Sequence, residues 1–388
     1  MADWLADFVA HTSYGEAPEN VMFWVGVSTI AGALRRKVWI HMRRFQWTPN
    51  FYVLLIGPPG ILKKSTSIDL GMNLLERVDG INFGPDDSTR EQLIAHVDEA
   101  HTVFQMADGT QFESSPVTLA LGEFDTFFDP GDRKLVAGLT RLYDAPRHFK
   151  KETKTNGNNF IVKPWLNICA CTTPDWMAEH FSKKFIGSGF ASRINYIYCT
   201  EAKRVALPDE NMPDYDYDRQ EDDLVYRLQQ MADLSGQFIL TEDARKWERA
   251  WYEKYRDFLE KDCTSGDVGL YSRGQTHQMK LAMVISVSRG MFPVINEEVL
   301  VAAQDILDRT DLNIQAVFGN VGQGAISKLA AQLIEWLSRQ GKMTKKMLYM
   351  RFYRTVGVKD FDAALESAKA AGVIRESGDV RDPYLEVV

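Results

Sequence analysis

A glycine- and proline-rich turn, followed by two lysines and two hydroxyl residues, is the most chemically suggestive feature of this 388-residue sequence. The stretch YVLLIGPPGILKKSTSI spans residues 52–68, and its turn joins an apolar run to a helical pattern. Such a turn can hold phosphate groups, because backbone N–H groups and the positive end of a helix dipole both favour anions. The sequence therefore predicts a nucleotide-binding loop with the following residues: Gly57, Pro58, Pro59, Gly60, Lys63, Lys64, Ser65 and Thr66.

The spacing of this loop differs from the usual phosphate-binding motif, in which four residues separate the first glycine from a Gly-Lys-Ser/Thr group. Counting from Gly57 places Lys63 at the lysine position and Lys64 at the hydroxyl position. If the loop is one residue longer, Lys64 becomes the lysine for the β- and γ-phosphates and Ser65 becomes the hydroxyl ligand of Mg²⁺. We adopt the longer loop as the prediction, and the choice between the two lysines stays open at this point.

Acidic and polar residues follow two later apolar runs, at points where parallel strands would end. Glu123 and Asp125 come after the run VTLAL, in the segment LGEFD. A carboxylate there can orient or deprotonate the attacking water, which we assign to Glu123, or join Ser65 in binding Mg²⁺, which we assign to Asp125. Thr173 follows the run WLNICAC and is expected to orient the same water, with capping of a helix that starts at Pro174 as the alternative.

Two arginines have positions from which they can contact a nucleotide. Arg193 ends the glycine-rich segment IGSGFASR and precedes the apolar run INYIYC, so it can reach the nucleotide of a neighbouring subunit. An arginine supplied in this way stabilises charge on the transferring phosphoryl group, and a surface salt bridge is the alternative. Arg273 precedes the apolar helical pattern HQMKLAMVISVS, where it can reach back over the nucleotide or pack through its aliphatic stem.

A basic hairpin is predicted between the second and third apolar runs. The segment HFKKETKTNGNNFIV has Asn156-Gly157 between two extended arms, which is a strong signal for a tight β-turn. Lys150, Lys151 and Lys154 lie along one arm. Because lysines bind DNA mainly by neutralising phosphates, we predict that the hairpin contacts DNA as a pore loop, with a solvated charged hairpin as the alternative.

The composition excludes several classes of protein. The sequence is 45% hydrophobic and 25% charged with a net charge of −8, which argues against a protein coated with nucleic acid over its whole surface. Apolar runs such as 53–56 are far shorter than the roughly 20 residues of a membrane-spanning helix, and the N-terminal MADWLADFVAHTS lacks the basic start of a secretory signal. The four cysteines form no CxxC pair and are typical of reduced core thiols. We therefore expect a cytoplasmic protein without a membrane segment.

Four regions differ in their hydrophobic patterns. Residues 1–45 have helical periodicity, and residues 46–205 alternate helical patterns with continuous apolar runs, which are typical of parallel strands buried on both faces. A helical region at 206–322 opens with the acidic stretch PDENMPDYDYDRQEDD. Residues 325–388 predict three helices followed by a β-hairpin, which is the element order of a winged helix. The predicted fold class is α/β.

Taken in order, these segments resemble a known family. They are EAPENVMFWVGVSTIAGALRRKVWI, GPPGILKKST, LGEFDTFF, CTTPDWM, GSGFASR and SRGQTHQMKLA. Over about residues 3–320 the chain is similar to bacteriophage and prophage P-loop proteins labelled primase/helicase or replicative helicase, which are related to the AAA+ and superfamily 3 ring helicases. The resemblance implies an AAA+-like P-loop NTPase core between an N-terminal helical collar and a helical lid, and the predicted winged helix follows it.

Membership of this family would imply a homo-oligomeric, ATP-driven ring, expected to be a hexamer, that acts on single-stranded DNA during phage replication in a bacterial host cell. It would place ATP and Mg²⁺ on Lys64 and Ser65, with Glu123 as the catalytic acid, Thr173 as the water sensor and Arg193 as the arginine supplied in trans. The winged helix would contact DNA or replication proteins. Two other functions stay open: a helicase loader or DNA-remodelling switch that does not unwind, and a DNA-binding scaffold that does not hydrolyse ATP.

Overall fold

The computed structural model describes most of the chain: residues 3–60, 62–106, 108–153, 157–203, 216–263, 268–318, 325–354, 356–378 and 382–387, with backbone only at a few positions. The chain divides into two compact units, residues 1–319 and 320–388, and each is described by itself.

The strands of the first unit form two mixed sheets and one separate hairpin. Numbered along the chain, they are β1 (Val38–Met42), β2 (Phe45–Trp47), β3 (Tyr52–Ile56), β4 (Thr102–Gln105), β5 (Gln111–Leu121), β6 (His148–Thr153), β7 (Gly157–Val162), β8 (Pro164–Thr172), β9 (Ile194–Tyr198), β10 (Gly236–Leu240) and β11 (Val294–Ile295). A short 3₁₀ turn, Ala191–Arg193, precedes β9.

The helices of the first unit are α1 (Trp4–His11), α2 (Glu19–Leu34), α3 (Lys64–Glu76), α4 (Arg90–Glu99), α5 (Phe124–Phe127), α6 (Arg133–Tyr143), α7 (Pro174–His180), α8 (Lys183–Ile186), α9 (Tyr217–Asp233), α10 (Glu242–Lys261), α11 (Val268–Tyr271), α12 (Gly274–Ser288) and α13 (Glu297–Phe318).

A five-stranded sheet lies at the centre of this unit, in the order β4-β5-β8-β3-β9. β5, β8, β3 and β9 run parallel, and β4 is the antiparallel edge strand. The four apolar runs that predicted strands in the sequence all belong to this sheet, so the prediction of an α/β fold is confirmed. Because parallel strands end at the same edge, the residues that follow β3, β5, β8 and β9 meet at one carboxyl edge.

The central sheet separates two hydrophobic cores. Along β3, Val53 and Leu55 pack with α1, α2, α3, α12 and α13, whereas Tyr52, Leu54 and Ile56 pack on the other face with α4, α6 and α7. This division follows from the alternation of side chains along a strand. A strand buried on both faces must be apolar at every position, which explains the continuous run YVLLI.

Two helices, α2 and α12, are buried on nearly all sides within the first of these cores. Apolar residues around the whole circumference are typical of a helix that is enclosed by other elements. Among the helices of the described chain, none has both the length and the apolar character needed to cross a membrane.

A four-stranded sheet, in the order β11-β10-β1-β2, lies where the sequence predicted only helices. The helical expectation was therefore wrong at 38–42 and at Phe45 within residues 1–45, and at 236–240 and 294–295 in the later region; the rest of β2 lies in the region that was predicted to contain strands. β1 pairs in parallel with β10, Val38 opposite Gly236, and β10 pairs in parallel with β11. β1 also pairs with its neighbour β2, whereas β10 and β11 gain their partners from segments far along the chain, so local periodicity does not reveal this sheet.

The second unit has its own small core and antiparallel sheet. Its elements are α14 (Ala325–Gln340), β12 (Met343–Thr344), α15 (Lys345–Phe352), α16 (Val358–Ala370), β13 (Ile374–Ser377) and β14 (Tyr384–Val387). The strands have the order β12-β14-β13. The core includes Leu333, Leu348, Phe361, Leu365 and Leu385. The three predicted helices and the final hairpin are present, and β12 is an additional strand.

Gly71 in α3 lies against α2, so a substitution at Gly71 tests how closely these two helices pack. A Cβ on Gly71 would lie 2.5 Å from both Thr29 Oγ1 and Val25 Cγ1. We expect Gly71→Ala to lower the free energy of unfolding by about 1–3 kcal/mol, because overpacking forces neighbours out of place.

The matched control is Gly138→Ala in α6, where a Cβ would meet only Arg90 Nε at 3.6 Å. This change is expected to be neutral or to stabilise by up to about 1 kcal/mol, since alanine is the better helix former. Chemical denaturation of both variants measures the difference, and equal effects would contradict the close packing of α2 on α3.

Candidate functional site

The predicted phosphate loop joins β3 to α3 at the carboxyl edge of the central sheet. The loop leaves β3 at Gly57, whose N–H donates to Thr172 O over 3.3 Å. A Cβ on Gly57 would lie 2.0 Å from Leu62 Cδ1 and 2.5 Å from Cys199 O, so only glycine fits there. Leu62, which stands where the usual motif has its second glycine, is buried against Gly57 and anchors the longer loop.

The tip of the loop and the start of α3 are open to solvent. Pro59 and Gly60 are exposed, and Gly60 has a φ of 74°. Lys63 is also left-handed, with a φ of 46°, directly before the first helical residue; this is uncommon for a lysine. A left-handed residue directly before the first helical residue, as at Lys63 and Lys64, is a backbone pattern of the kind that points successive N–H groups at an anion. No side chain caps α3, so its first-turn N–H groups remain available to a ligand.

The two lysines of the loop have different surroundings. Lys63 points outward, and its ammonium lies 3.8 Å from the carboxylate of Glu16. Lys64 is only 9% exposed, and its Nζ donates to Gly57 O over 2.6 Å and to Pro58 O over 3.1 Å. Burial lowers the pKa of Lys64. Of the two side chains, Lys64 is the one that lies over the loop.

The end of β5 lies directly beside the start of α3. A Cβ built on Gly122 would lie 3.7 Å from Ser65 Cβ, so the segment LGEFD runs past the first turn of that helix. Ser65, Glu123 and Asp125 are all exposed at this edge. Thr66 is exposed in the same turn of α3. The structure thus brings the predicted hydroxyl ligand next to the strand end that carries both predicted acids.

Cys171, near the end of β8, lies between these groups. Its Sγ donates to Gly122 O over 2.6 Å. Burial raises the pKa of Cys171 to about 11, Lys64 opposes the rise, and Glu123 and Asp125 add to it. One thiol is therefore within electrostatic reach of the lysine from β3–α3 and of both acids from β5–α5. The sequence did not single out this cysteine, because its only signal was a place in an apolar run.

Thr173 follows β8 at the same edge and caps the next helix. Its hydroxyl accepts a hydrogen bond from Trp176 N over 3.3 Å, at the N-terminus of α7. This is the capping alternative that the sequence left open, and it fixes the hydroxyl close to the end of β8. Thr172, one residue earlier, is buried.

The oxygen atoms at this edge suit Mg²⁺ that arrives with a nucleotide. Within the described residues, no three His, Cys, Asp or Glu side chains are grouped so that they alone could hold a metal ion. Magnesium is usually bound through one or two carboxylates together with the phosphates of the substrate. The hydroxyl of Ser65 and the carboxylate of Asp125 are hard oxygen donors of the kind that this ion prefers, so they fit such a partial site.

The two predicted arginines lie at the opposite, amino edge of the sheet. Ile194 pairs with Tyr52 and Tyr198 with Ile56 in the register of β9 on β3. Arg193 is therefore opposite Phe51, and its backbone is about 20 Å from Gly57 of its own chain, at about 3.3 Å per residue of strand. It is buried, and its Nη2 lies 2.5 Å from the carboxylate of Asp144.

Arg273 shares this carboxylate, with its Nη1 3.1 Å from Asp144 Oδ1. The structure therefore places Arg273 beside Arg193. The sequence had suggested that Arg273 can reach back over the nucleotide, but within one chain it does not lie over the phosphate loop. The physical reason is the start of α12, which packs against the amino edge of the sheet: His277 Nε2 donates to Ser192 O over 2.9 Å. Burial lowers the pKa of His277 to about 4, so this ring is neutral at neutral pH.

A third cation, Lys280, is buried in the same cluster. Its Nζ donates to Asn50 O over 2.9 Å and to Asn50 Oδ1 over 2.8 Å, and lies 3.7 Å from the centroid of the Tyr143 ring. No carboxylate within the described residues lies at ion-pair distance from this ammonium. Burial lowers its pKa well below the usual range, a shift that Asp144 opposes. Asn50 and Asp144 gave no signal in the sequence.

The predicted basic hairpin is present as β6 and β7, with Lys150 opposite Phe160 and Thr153 opposite Gly157. Lys150 is exposed, and its Nζ lies 5.4 Å from the centroid of the Phe160 ring. The side chain of Lys151 and the whole of Lys154 lie outside the described residues. β7 leads directly into β8, so the hairpin leaves the sheet at its amino edge.

Comparison with known proteins gives no relative: no protein-family model matches the sequence, and no curated protein is significantly similar to it.

The shared carboxylate of Asp144 makes a testable contribution to stability. Asp144→Asn leaves the guanidinium groups of Arg193 and Arg273 without an anionic partner, and we expect a loss of about 1–3 kcal/mol in the free energy of unfolding. The control is Asp243→Asn, whose partner Lys246 is 3.9 Å away and well exposed. That change is expected to cost no more than about 0.5 kcal/mol. Thermal or chemical denaturation compares the two, and equal costs would mean that the buried cluster does not depend on Asp144.

Proposed function

We propose that this protein is a magnesium-dependent ATPase with an AAA+-like P-loop core that moves single-stranded DNA, as in the phage replicative helicases that its motifs resemble. One observation carries the proposal. Lys64, Ser65, Glu123 and Asp125 converge at the carboxyl edge of a parallel sheet, beside a glycine- and proline-rich loop and a helix start that no side chain caps. Ligands of open α/β sheets bind at this edge, and phosphates bind at helix N-termini.

In this proposal Lys64 is the phosphate lysine. Its ammonium would exchange the carbonyls of Gly57 and Pro58 for the β- and γ-phosphates of ATP, which compensate a buried charge better than carbonyl dipoles do. Ser65, at the first turn of α3, would hold Mg²⁺ together with Asp125. Bound magnesium would supply charge neutralisation on the phosphates. Lys63 is assigned no phosphate contact, because it points outward toward Glu16.

Glu123 is proposed to orient or deprotonate the attacking water. Its carboxylate follows β5 and is exposed at the edge where the phosphate loop lies. Thr173 would assist from the end of β8, where helix capping holds its hydroxyl in place. Neither group forms a covalent bond to the substrate, so catalysis would depend on positioning and electrostatics.

Arg193 is proposed to act on the nucleotide of a neighbouring subunit. It lies at the opposite edge of the sheet from its own loop, which is the arrangement that a head-to-tail ring requires. In the proposed ring, the amino edge of one subunit would lie against the carboxyl edge of the next. The pair Arg193 and Asp144 would then open, and the guanidinium would take a phosphate in place of the carboxylate. Such trans arginines contribute about 10³–10⁵ in rate.

The DNA contacts are proposed to come from the β6–β7 hairpin with Lys150, Lys151 and Lys154, and from the second unit. The second unit has the helix and strand order of a winged helix, a module that binds DNA or other replication proteins. A homo-hexamer is the proposed assembly.

The first test separates the two lysines of the loop. Lys64→Ala is expected to lower the rate of ATP hydrolysis by about 100-fold or more, because it removes a charge that stabilises the transition state. Lys63→Ala is the matched control and should keep at least half of the rate in a phosphate-release assay. Equal background rates for both variants and the wild type would contradict hydrolysis at this loop and favour a non-hydrolysing scaffold.

The second test mixes Lys64→Ala and Arg193→Ala chains, each inactive alone. At some interfaces of the mixed ring, an intact Lys64 meets an intact Arg193 from the next subunit. With random mixing, about a quarter of the interfaces are intact, and a similar fraction of the wild-type rate should return. Melting temperatures confirm that both variants are folded, and size-exclusion chromatography confirms the ring. A folded, mixed ring without recovered activity would contradict the shared site.

A further inference from the structure

The β1–β2 hairpin is a second exposed basic element that the proposed function does not use. Arg43 and Arg44 form its turn, and both are exposed. Neither forms an ion pair within the described residues. Phe45 follows them and is 67% exposed, and its ring stacks on Trp47 with centroids 6.5 Å apart and planes 12° apart. An exposed pair of stacked aromatic rings next to two free arginines is unusual for a hairpin that serves packing alone.

A cavity of about 270 Å³ opens beneath this hairpin. The exposed Phe45 and the half-buried Trp47 belong to its lining, together with the buried Thr48, Tyr143 and Lys280 and the partly exposed Asp144 and Arg273. The Tyr143 hydroxyl is buried and has no hydrogen-bond partner within the described residues. Among the residues that line the cavity, the basic side chains of Arg273 and Lys280 outnumber the single carboxylate of Asp144.

The charges around the cavity favour an anion. Asp144 is shared between Arg193 and Arg273, so it compensates at most one of these two guanidinium charges. Arg273 keeps its charge under all ordinary conditions, and Lys280 has only carbonyl and ring contacts. An anion in the cavity would compensate this charge. A cavity of this size has room for a phosphate group and part of a sugar, and the aromatic pair at its mouth is left for a base.

We propose that this cavity binds a phosphate group of a single-stranded nucleic acid, whose neighbouring base stacks on Phe45 and Trp47. Single-strand binding sites combine a positively charged groove with aromatic side chains on which bases stack. A duplex does not fit this site as well, because its bases are stacked inside the helix and do not reach an aromatic side chain. This site depends on the proposed function in one respect only, namely that the ligand is a single-stranded nucleic acid. Binding at the site does not require ATP.

The position of the hairpin agrees with this role. β2 ends at Trp47 and leads into β3 at Tyr52, and β7 ends at Val162 and leads into β8 at Pro164. Because β3 and β8 are neighbours in the sheet, both basic hairpins leave it at the amino edge. One strand of nucleic acid can therefore contact both hairpins along the same edge.

The test measures binding of a short fluorescein-labelled oligothymidylate to the full chain by fluorescence anisotropy, without nucleotide. Phe45→Ala is expected to weaken binding by roughly 5- to 150-fold, the usual effect of removing one stacking side chain. Arg43→Ser with Arg44→Ser should reduce the slope of log affinity against log salt by about 0.7 per lost phosphate contact. The matched control is Tyr226→Ala on α9, where the side chain is 64% exposed and no change is expected.

Further measurements separate the alternatives. A duplex of the same length should bind Phe45→Ala as it binds the wild type, and thymidine monophosphate should not displace the labelled strand at equal nucleotide concentration. Unchanged affinity of Phe45→Ala, or an equal loss for duplex and single strand, would overturn the proposal, and displacement by the mononucleotide would replace it with a free-nucleotide site. The same assay on Lys64→Ala keeps the two proposals apart: full binding without hydrolysis leaves this site standing even if the ATPase proposal fails.

Discussion

The position of β3 between β8 and β9 is the constraint on which the rest of the structure depends. β3 is buried on both faces and hydrogen-bonded on both edges, so neither its register nor its direction can change without loss of two hydrophobic cores. Polar contacts hold both of its ends. At the amino end, Phe51 N donates to Asn167 Oδ1 over 3.0 Å. At the carboxyl end, Gly57 N donates to Thr172 O, and Leu62 fills the space that a side chain at Gly57 would need.

Two groups of charged side chains lie at the two ends of this strand, and they differ in their balance of cations and carboxylates. At its carboxyl edge one buried lysine faces two exposed acids and a hydroxyl. At its amino edge Arg193 and the half-buried Arg273 share the carboxylate of Asp144, and the buried Lys280 has no carboxylate at ion-pair distance within the described residues. Asn50 connects the second group to the sheet, since its Nδ2 donates to Tyr143 O and Leu166 O while its own oxygens accept from Lys280. Burying cations with so few anions is costly, and a protein keeps such an arrangement where a ligand supplies the missing charge.

Sequence patterns predicted the central sheet and the loop but not the partners that assemble the amino edge. The runs 52–56, 117–121, 165–171 and 194–199 are apolar at nearly every position, and only burial on both faces explains such runs. β1 and β10 were not predicted, because both are short and they pair with each other across a long distance along the chain. The lysines and the hydroxyl of the loop were visible from their spacing. The meeting of Arg273 with Arg193 on Asp144 was not, since it depends on how α12 packs against the start of β9.

Lys64 at the carboxyl edge and Lys280 at the amino edge have similar electrostatic surroundings. Both ammonium groups donate to carbonyl oxygens rather than carboxylates, and burial lowers the pKa of both. A phosphate favours the charged form of such a lysine more strongly than a carbonyl dipole does, so each site gains more from an anion than an exposed lysine would. For Lys64 this gain requires release of Gly57 O and Pro58 O, which lie at the end of β3.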